Sequence, residues 1–209
     1  MNQRVGLIHN KLFDSNGYVI NITPSKVIIV DPGNPDITDL KTWLSENNKT
    51  VIAVFLTHEH ADHCAGVTEL HKIQPFQLFC SQACATNIGN CKQNFSFYIE
   101  SISPFEIKIP ARIVNDGAKI DLEGTDFTFI ATPGHSPGSV CIFTNDTVFT
   151  GDTLLNNTKT PLTFPHSNRK DYANSIQKIK TLLNPGMTIY PGHGEAFVVD
   201  EAFLQQFGI

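Results

Sequence analysis

Charge is scarce in this sequence. Asp, Glu, Lys and Arg together make up 17% of 209 residues, against 41% hydrophobic ones. That balance excludes a highly charged, disordered chain and fits a soluble protein with a real core. Basic residues are the scarcer sign, 15 Lys and Arg against 20 Asp and Glu, for a net charge of −5. They form no stripe or cluster of the kind that binds nucleic acid or acidic membranes, so neither partner is expected. No apolar run reaches the ~18 residues of a membrane span. The opening MNQRVGLIHNKLFD lacks the apolar stretch of a signal peptide, and a cytoplasmic protein is expected. Gly/Ser linkers, charge blocks and low-complexity tracts are also missing, so residues 1–209 are read as one domain.

Cysteine is present but poorly organised for a structural role. There are five: Cys64, Cys80, Cys84, Cys91 and Cys141. The odd number argues against a disulfide framework. Cys80, Cys84 and Cys91 are close in sequence, but no CxxC pair or matching His pair accompanies them. Reduced thiols, some of them buried, are expected.

Apolar patterning is what the chain has in plenty. GYVINI (17–22) and KVIIVD (26–31) flank a Thr-Pro-Ser turn and read as a hairpin. Ile37, Leu40, Trp43 and Leu44 recur at helical spacing over 36–47, with Asp36 placed to cap. VIAVFL (51–56) is a continuous run, as in a strand buried on both faces. FQLFC (76–80) predicts a further strand and 81–90 a helix, while 92–117 carry no clear pattern. KIDL (119–122), DFTFIAT (126–132), SVCIFT (139–144) and TVFTGD (147–152) predict four strands in succession. Tyr172, Ile176, Ile179 and Leu183 mark a helix over 171–183, stopped by Asn-Pro-Gly. MTIYPGHG (187–194) reads as a last strand entering a glycine loop, and 200–207 as a short helix. Strands, helix, strand, helix, then the same order again point to an α/β fold with two sheets and outer helices.

LTHEHADHCAG (56–66) concentrates three of the eight histidines and an aspartate into the pattern HxHxDH. Chance composition would produce that pattern in roughly six of ten thousand such chains, well below the usual false-positive rate of a motif. On extended chain His58 and His60 point the same way; on a helix they would diverge. A loop leaving the 51–56 strand can thus turn His58, His60, Asp62 and His63 towards one small volume. Imidazole and carboxylate suit zinc, iron or manganese, and a ligand set without cysteine suits a catalytic site rather than a structural one. Three further ligand-type residues stand in glycine-bearing loops after predicted strands: His135 in ATPGHSPGS, Asp152 in FTGDTL and His193 in YPGHGE.

Taken together, these motifs resemble the metallo-β-lactamase superfamily of hydrolases, from about residue 17 to residue 195. The resemblance implies a four-layer αβ/βα sandwich of two mixed β-sheets, with helices on the outer faces and the site at one sheet edge. It implies two divalent metal ions, zinc first and iron or manganese otherwise. His58, His60 and His135 would hold one, Asp62, His63 and His193 the other, and Asp152 both. Two such ions carry +4; Asp62, Asp152 and a bridging hydroxide bring −3, so the site favours electron-rich groups. A hydroxide so placed attacks without a protein nucleophile, and Asp62 is the residue implied to orient it.

Asp152 bears on the branch. Among similar zinc β-lactamases one group has Cys at that place and another lacks the bridging Asp, so TGDTL points away from an antibiotic-resistance enzyme. TPGHSPGS and TGDTL look most like the glyoxalase II group, which hydrolyses acyl-glutathione thioesters. SNRKD (167–171) is similar to a segment of the small glyoxalase II-like proteins; it also reads as a helix N-cap. Arg169 of that segment, and His166 in FPHSN just before the 171–183 helix, are the candidates for binding a small-molecule substrate. Only 16 residues follow His193, too few for the C-terminal helical domain of the full-length glyoxalase II enzymes. A hydroxyacylglutathione-type thioesterase is the leading expectation. A lactone, β-lactam or phosphodiester hydrolase would use the same centre. A sulfur dioxygenase would use one iron at the His58, His60, His135 and Asp152 positions. A non-catalytic scaffold would need no filled ligand set. His9 and His71 read as structural or exposed, and Cys64 as packing beneath the site.

Overall fold

Two runs of β-branched and aromatic residues build two sheets. In the computed structural model, which describes residues 5–206, contacts divide the chain into one compact unit up to Val114 and another from Asn115. The first unit holds β1 (Val5–Asn10), β2 (Ser15–Asn21), β3 (Lys26–Val30), β4 (Thr50–Phe55), β5 (Gln77–Cys80) and β6 (Ala111–Ile113), side by side in that order. β1, β2 and β3 pair antiparallel, and β3 to β6 pair parallel. Parallel neighbours need crossovers, and helices supply them: α1 (Thr38–Glu46), then α2 (Ala61–Cys64) with α3 (Val67–Ile73), then α4 (Gln82–Asn87). Val27, Ile29, Val54, Leu56 and Leu78 pack with Leu40 and Leu44 of α1 and Val67 and Leu70 of α3 into one buried cluster.

The second unit holds β7 (Ala118–Leu122), β8 (Thr125–Ala131), β9 (Val140–Thr144), β10 (Thr147–Gly151), β11 (Thr188–Pro191) and β12 (Phe197–Val198), ordered β12-β11-β10-β9-β8-β7. Only β10 and β11 pair parallel, and α5 (Arg169–Lys180) makes that crossover. α6 (Glu201–Gln206) closes the described chain. Cys141, Val148, Leu154, Ile179, Leu183 and Ile189 form one buried cluster of this unit. Among the described residues no helix is long and apolar enough to cross a membrane.

Each expected strand is present within two residues of its predicted ends, as are the helices at 36–47 and 200–207. The helix expected over 81–90 ends at Asn87, and that expected over 171–183 runs instead from Arg169 to Lys180. Three strands carry no sequence signal: β1, β6 and β12. All three are sheet edges. An edge strand is short and half-exposed, so it has little reason to alternate.

Strand direction places the chemistry. Because β3 and β4 are parallel, the loops that follow them, bearing Asp31 and His58, leave the same edge of the first sheet. In the second sheet β8, β10 and β11 run the same way, so the loops bearing His135, Asp152 and His193 share one edge. The carboxyl ends of strands are where α/β sheets hold ligands.

Candidate metal centre

In the first unit the chain bends at Thr57 after β4, His58, Glu59 and His60 follow, and α2 begins at once, with an extended His60 at its N-cap position. The rings of His58 and His60 lie 4.6 Å apart, and those of His58 and His63 4.2 Å apart. All three histidines are buried. Asp62 Oδ2 lies 3.5 Å from His63 Nε2.

A buried carboxylate stands behind them. Asp31 is 2% exposed and has a left-handed backbone, φ 50°. Its Oδ1 accepts the Thr57 amide at 2.8 Å, and its Oδ2 accepts the Thr57 hydroxyl at 2.5 Å. His63 Nδ1 is 3.1 Å from the same Oδ2. Burial pushes the Asp31 carboxyl up, and the bonds from His63 and Thr57 oppose that shift.

These bonds fix the histidine tautomers. Thr57 gives its one hydroxyl proton to Asp31, so it can only accept from His58 Nδ1, 3.0 Å away. His63 Nδ1 donates to a carboxylate, and His135 Nδ1 donates to the Pro161 carbonyl at 2.9 Å. Each ring therefore carries its proton on Nδ1 and presents the Nε2 lone pair, as a metal-ligating imidazole does. Asp31, His58 and His63 stand within ligand distance of one another, but with both Nδ1 atoms protonated Asp31 supports the ring nitrogens and is no ligand; among the described residues no such group of ligand-type side chains includes a cysteine.

The second unit brings His135, Asp152 and His193 together. Asp152 Oδ2 lies 3.5 Å from His135 Nε2 and 3.5 Å from His193 Nε2. Such separations exceed a hydrogen bond. They match the edge of a tetrahedron, about 3.4 Å, around an ion with bonds of ~2.0–2.1 Å. One carboxylate oxygen at ligand spacing from two histidines is what a bridging ligand needs. The Asp62–His63 pair of the first unit shows the same spacing. The donor set of nitrogen and carboxylate oxygen fits a divalent ion.

Close backbone approaches hold both loops. A Cβ on Gly33 would meet the Asp62 carbonyl oxygen at 1.5 Å. Ser15 Oγ donates to the same carbonyl, and Asn10 donates to Ser15, so the β1–β2 hairpin braces Asp62. In the second unit Gly134, φ 141°, lets the His135 loop lie on α5; a Cβ there would meet Tyr172 Cα at 2.3 Å. Ser167 Oγ donates to the His135 carbonyl, and the Asn168 amide to that of Gly134. His166 and Arg169 are exposed, beside residues tied to the His135 loop. Asn168 caps α5 through the amides of Lys170 and Asp171, so SNRKD is a helix start. His9 is exposed on β1, and His71 packs on Phe76 from α3. The Cys64 thiol is buried and donates to the Glu59 carbonyl; burial pushes it up, and it stays protonated.

Asp31 and Thr57 were not singled out as functional in the sequence. Asp31 carried the signal that marked Asp152, an aspartate after a strand beside glycine, but Asp-Pro-Gly also reads as a strand stop. Thr57 carried none.

The family model of the metallo-β-lactamase superfamily matches residues 10–193. The chain belongs to that superfamily. It is 29% identical over 178 residues to the probable polyketide biosynthesis zinc-dependent hydrolase PksB of Bacillus subtilis (strain 168), across 84% of this chain and 71% of PksB. Among solved structures, the BLEG-1 B3 metallo-β-lactamase superposes with a TM-score of 0.86 at 24% identity, covering 93% of this chain and 94% of that one. TTHA1623, described in a di-iron-bound form, gives 0.80 at 22% identity over 92% and 94%. Both likenesses concern the fold. They bear out the expected metallo-β-lactamase class, with its two mixed six-stranded sheets.

Proposed function

We propose that the chain is a dinuclear metal hydrolase acting on a thioester of the hydroxyacylglutathione type. The observation that carries the dinuclear reading is Asp152 Oδ2 at 3.5 Å from two histidine nitrogens. His58, His60 and His135 would hold one ion, Asp62, His63 and His193 the other, with Asp152 shared. The match of one family model through both units supports a single catalytic domain. When bound, the ions would supply an activated water and polarise the scissile carbonyl. The protein's part is to hold seven ligands in place and to keep Nε2 of His58, His63 and His135 deprotonated. Asp62, 13% exposed at its side chain, would orient water and accept its proton. His166 and Arg169, on the segment tied to the His135 loop, are the candidates for contact with the thiol-bearing part of the substrate. Zinc is the favoured metal, because PksB is described as zinc-dependent. A mononuclear iron site would leave Asp62 and His63 at ligand spacing with no ion to share. Five free cysteines fit a reducing compartment such as the cytoplasm.

The test is hydrolysis of S-lactoylglutathione by protein loaded separately with zinc, manganese and iron, together with elemental analysis. Two ions per chain and turnover that Asp152→Ala abolishes are expected. A single iron per fully active chain would overturn the dinuclear reading. Two ions with no thioester turnover would remove the substrate class and leave the centre. A chain that takes up no metal would be a scaffold.

A further inference from the structure

One ligand histidine carries an aromatic platform that the hydrolytic chemistry does not require. Phe95 packs on the ring of His60 at 4.9 Å, tilted 53°. Tyr98 lies 6.4 Å from Phe95, Phe97 lies 5.3 Å from Tyr98, and the Lys92 ammonium sits 5.3 Å from the Phe97 ring. Phe97 and Tyr98 are 51% and 62% exposed. Large apolar rings left in water beside a buried ligand are unusual unless something covers them.

The platform is also held in place at a cost. Phe95 has φ 66° and ψ 0°, a left-handed conformation that is unfavourable for a bulky residue and tends to persist at functional sites. Two buried side chains on either side of it impose that conformation. Asn94 donates to the carbonyls of Ile88 and Phe105 and accepts the Ser96 amide, and Ser96 Oγ accepts the Phe105 amide. Ile99, Ile102 and Phe105 of the same loop pack on Ala61 and Ala65, so the platform is anchored to the helix that carries Asp62 and His63. A loop that only bridged β5 and β6 would need neither the strained Phe95 nor the exposed rings.

We infer that Phe95, Phe97 and Tyr98 form a substrate-specificity platform, and that the hydroxyacyl group proposed above carries a large apolar substituent, aryl or of similar bulk. A ring there can stack on Tyr98 and Phe97. Lys92 at the rim suits a substrate that carries negative charge beyond the ring. This rests on the hydrolase reading but not on the thioester bond itself.

The experiment has two arms. In the first, kcat/KM of zinc-loaded protein is compared for S-mandeloylglutathione and S-lactoylglutathione, which differ only by phenyl in place of methyl. The aryl substrate is expected to lead by about 10-fold or more, a difference of the size apolar pockets achieve. Tyr98→Ala brings that ratio near one through KM, and Tyr98→Phe keeps it. A ratio near one in the wild type, or one that Tyr98→Ala leaves unchanged, overturns the platform. In the second arm, calorimetry measures 3-phenylpropionate and propionate binding to zinc-loaded wild type and to the Phe97→Ala, Tyr98→Ala double variant. Tighter binding of the aryl acid, lost in the variant, supports the platform even if neither thioester turns over. Equal binding of the two acids overturns it.

Discussion

Asp31 organises more of the centre than any residue that would touch an ion. It fixes His63 directly and His58 through Thr57, and both tautomers follow from that one carboxylate. Asp31→Ala is therefore expected to lower zinc affinity by about 10–100-fold, the usual loss when a supporting partner of a ligand is removed. Competition with a chelating dye would measure it, and unchanged affinity would show that the ligands orient themselves. The seven proposed ligands could be named from sequence because ligand chemistry is tied to residue type and HxHxDH is improbable by composition. Asp31 and Thr57 were not, because their roles depend on where side chains meet. An aspartate 32 positions before His63 can be linked to it only once β3 and β4 are known to be neighbours.

At the scale of elements, the central strands could be read and three of the four edges could not: burial on both faces writes a pattern, half-exposure rarely does, and β7 is the edge whose KIDL alternation shows. The same scale shows what the glycines permit. Gly33→Ala would force the Asp62 backbone away, so it should lose metal binding while the far-ultraviolet spectrum stays native; overpacking of this kind costs about 1–3 kcal/mol. Asn168→Ala removes the α5 cap and should cost about 1 kcal/mol in urea unfolding. Lys178 on α5 pairs with Asp116 ahead of β7, and its ammonium holds that carboxyl below the ordinary range. A depressed folded value means the pair stabilises above the unfolded pKa of 3.8 and fades as pH falls through the folded one. Both side chains are well exposed, so Asp116→Asn should cost less than about 1 kcal/mol at pH 7. Near pH 2 the wild type and the variant should melt alike.

For the whole molecule, the proposed ligands are drawn from both compact units, and metal should therefore tie their unfolding together. Zinc at about 100 times its dissociation constant would add about 2.7 kcal/mol to the folded state. Calorimetry should show a single sharp transition with zinc and an earlier, broader or divided one after chelation. Identical traces would mean that the ions, if bound, are held by one unit alone.

The direction of the strands in the second sheet has a practical side. The loops with the proposed ligands leave one end of β8, β10 and β11, while the exposed turns at Glu123–Gly124 and Asn145–Asp146 lie at the other end of β8 and β10. β8 has seven residues, so at ~3.3 Å per residue its two ends are separated by about 23 Å. A tether, a fluorophore or an inserted reporter domain at Glu123–Gly124 would sit a full strand length from His135. The protein could be immobilised by that turn with the His135 end of the sheet left free.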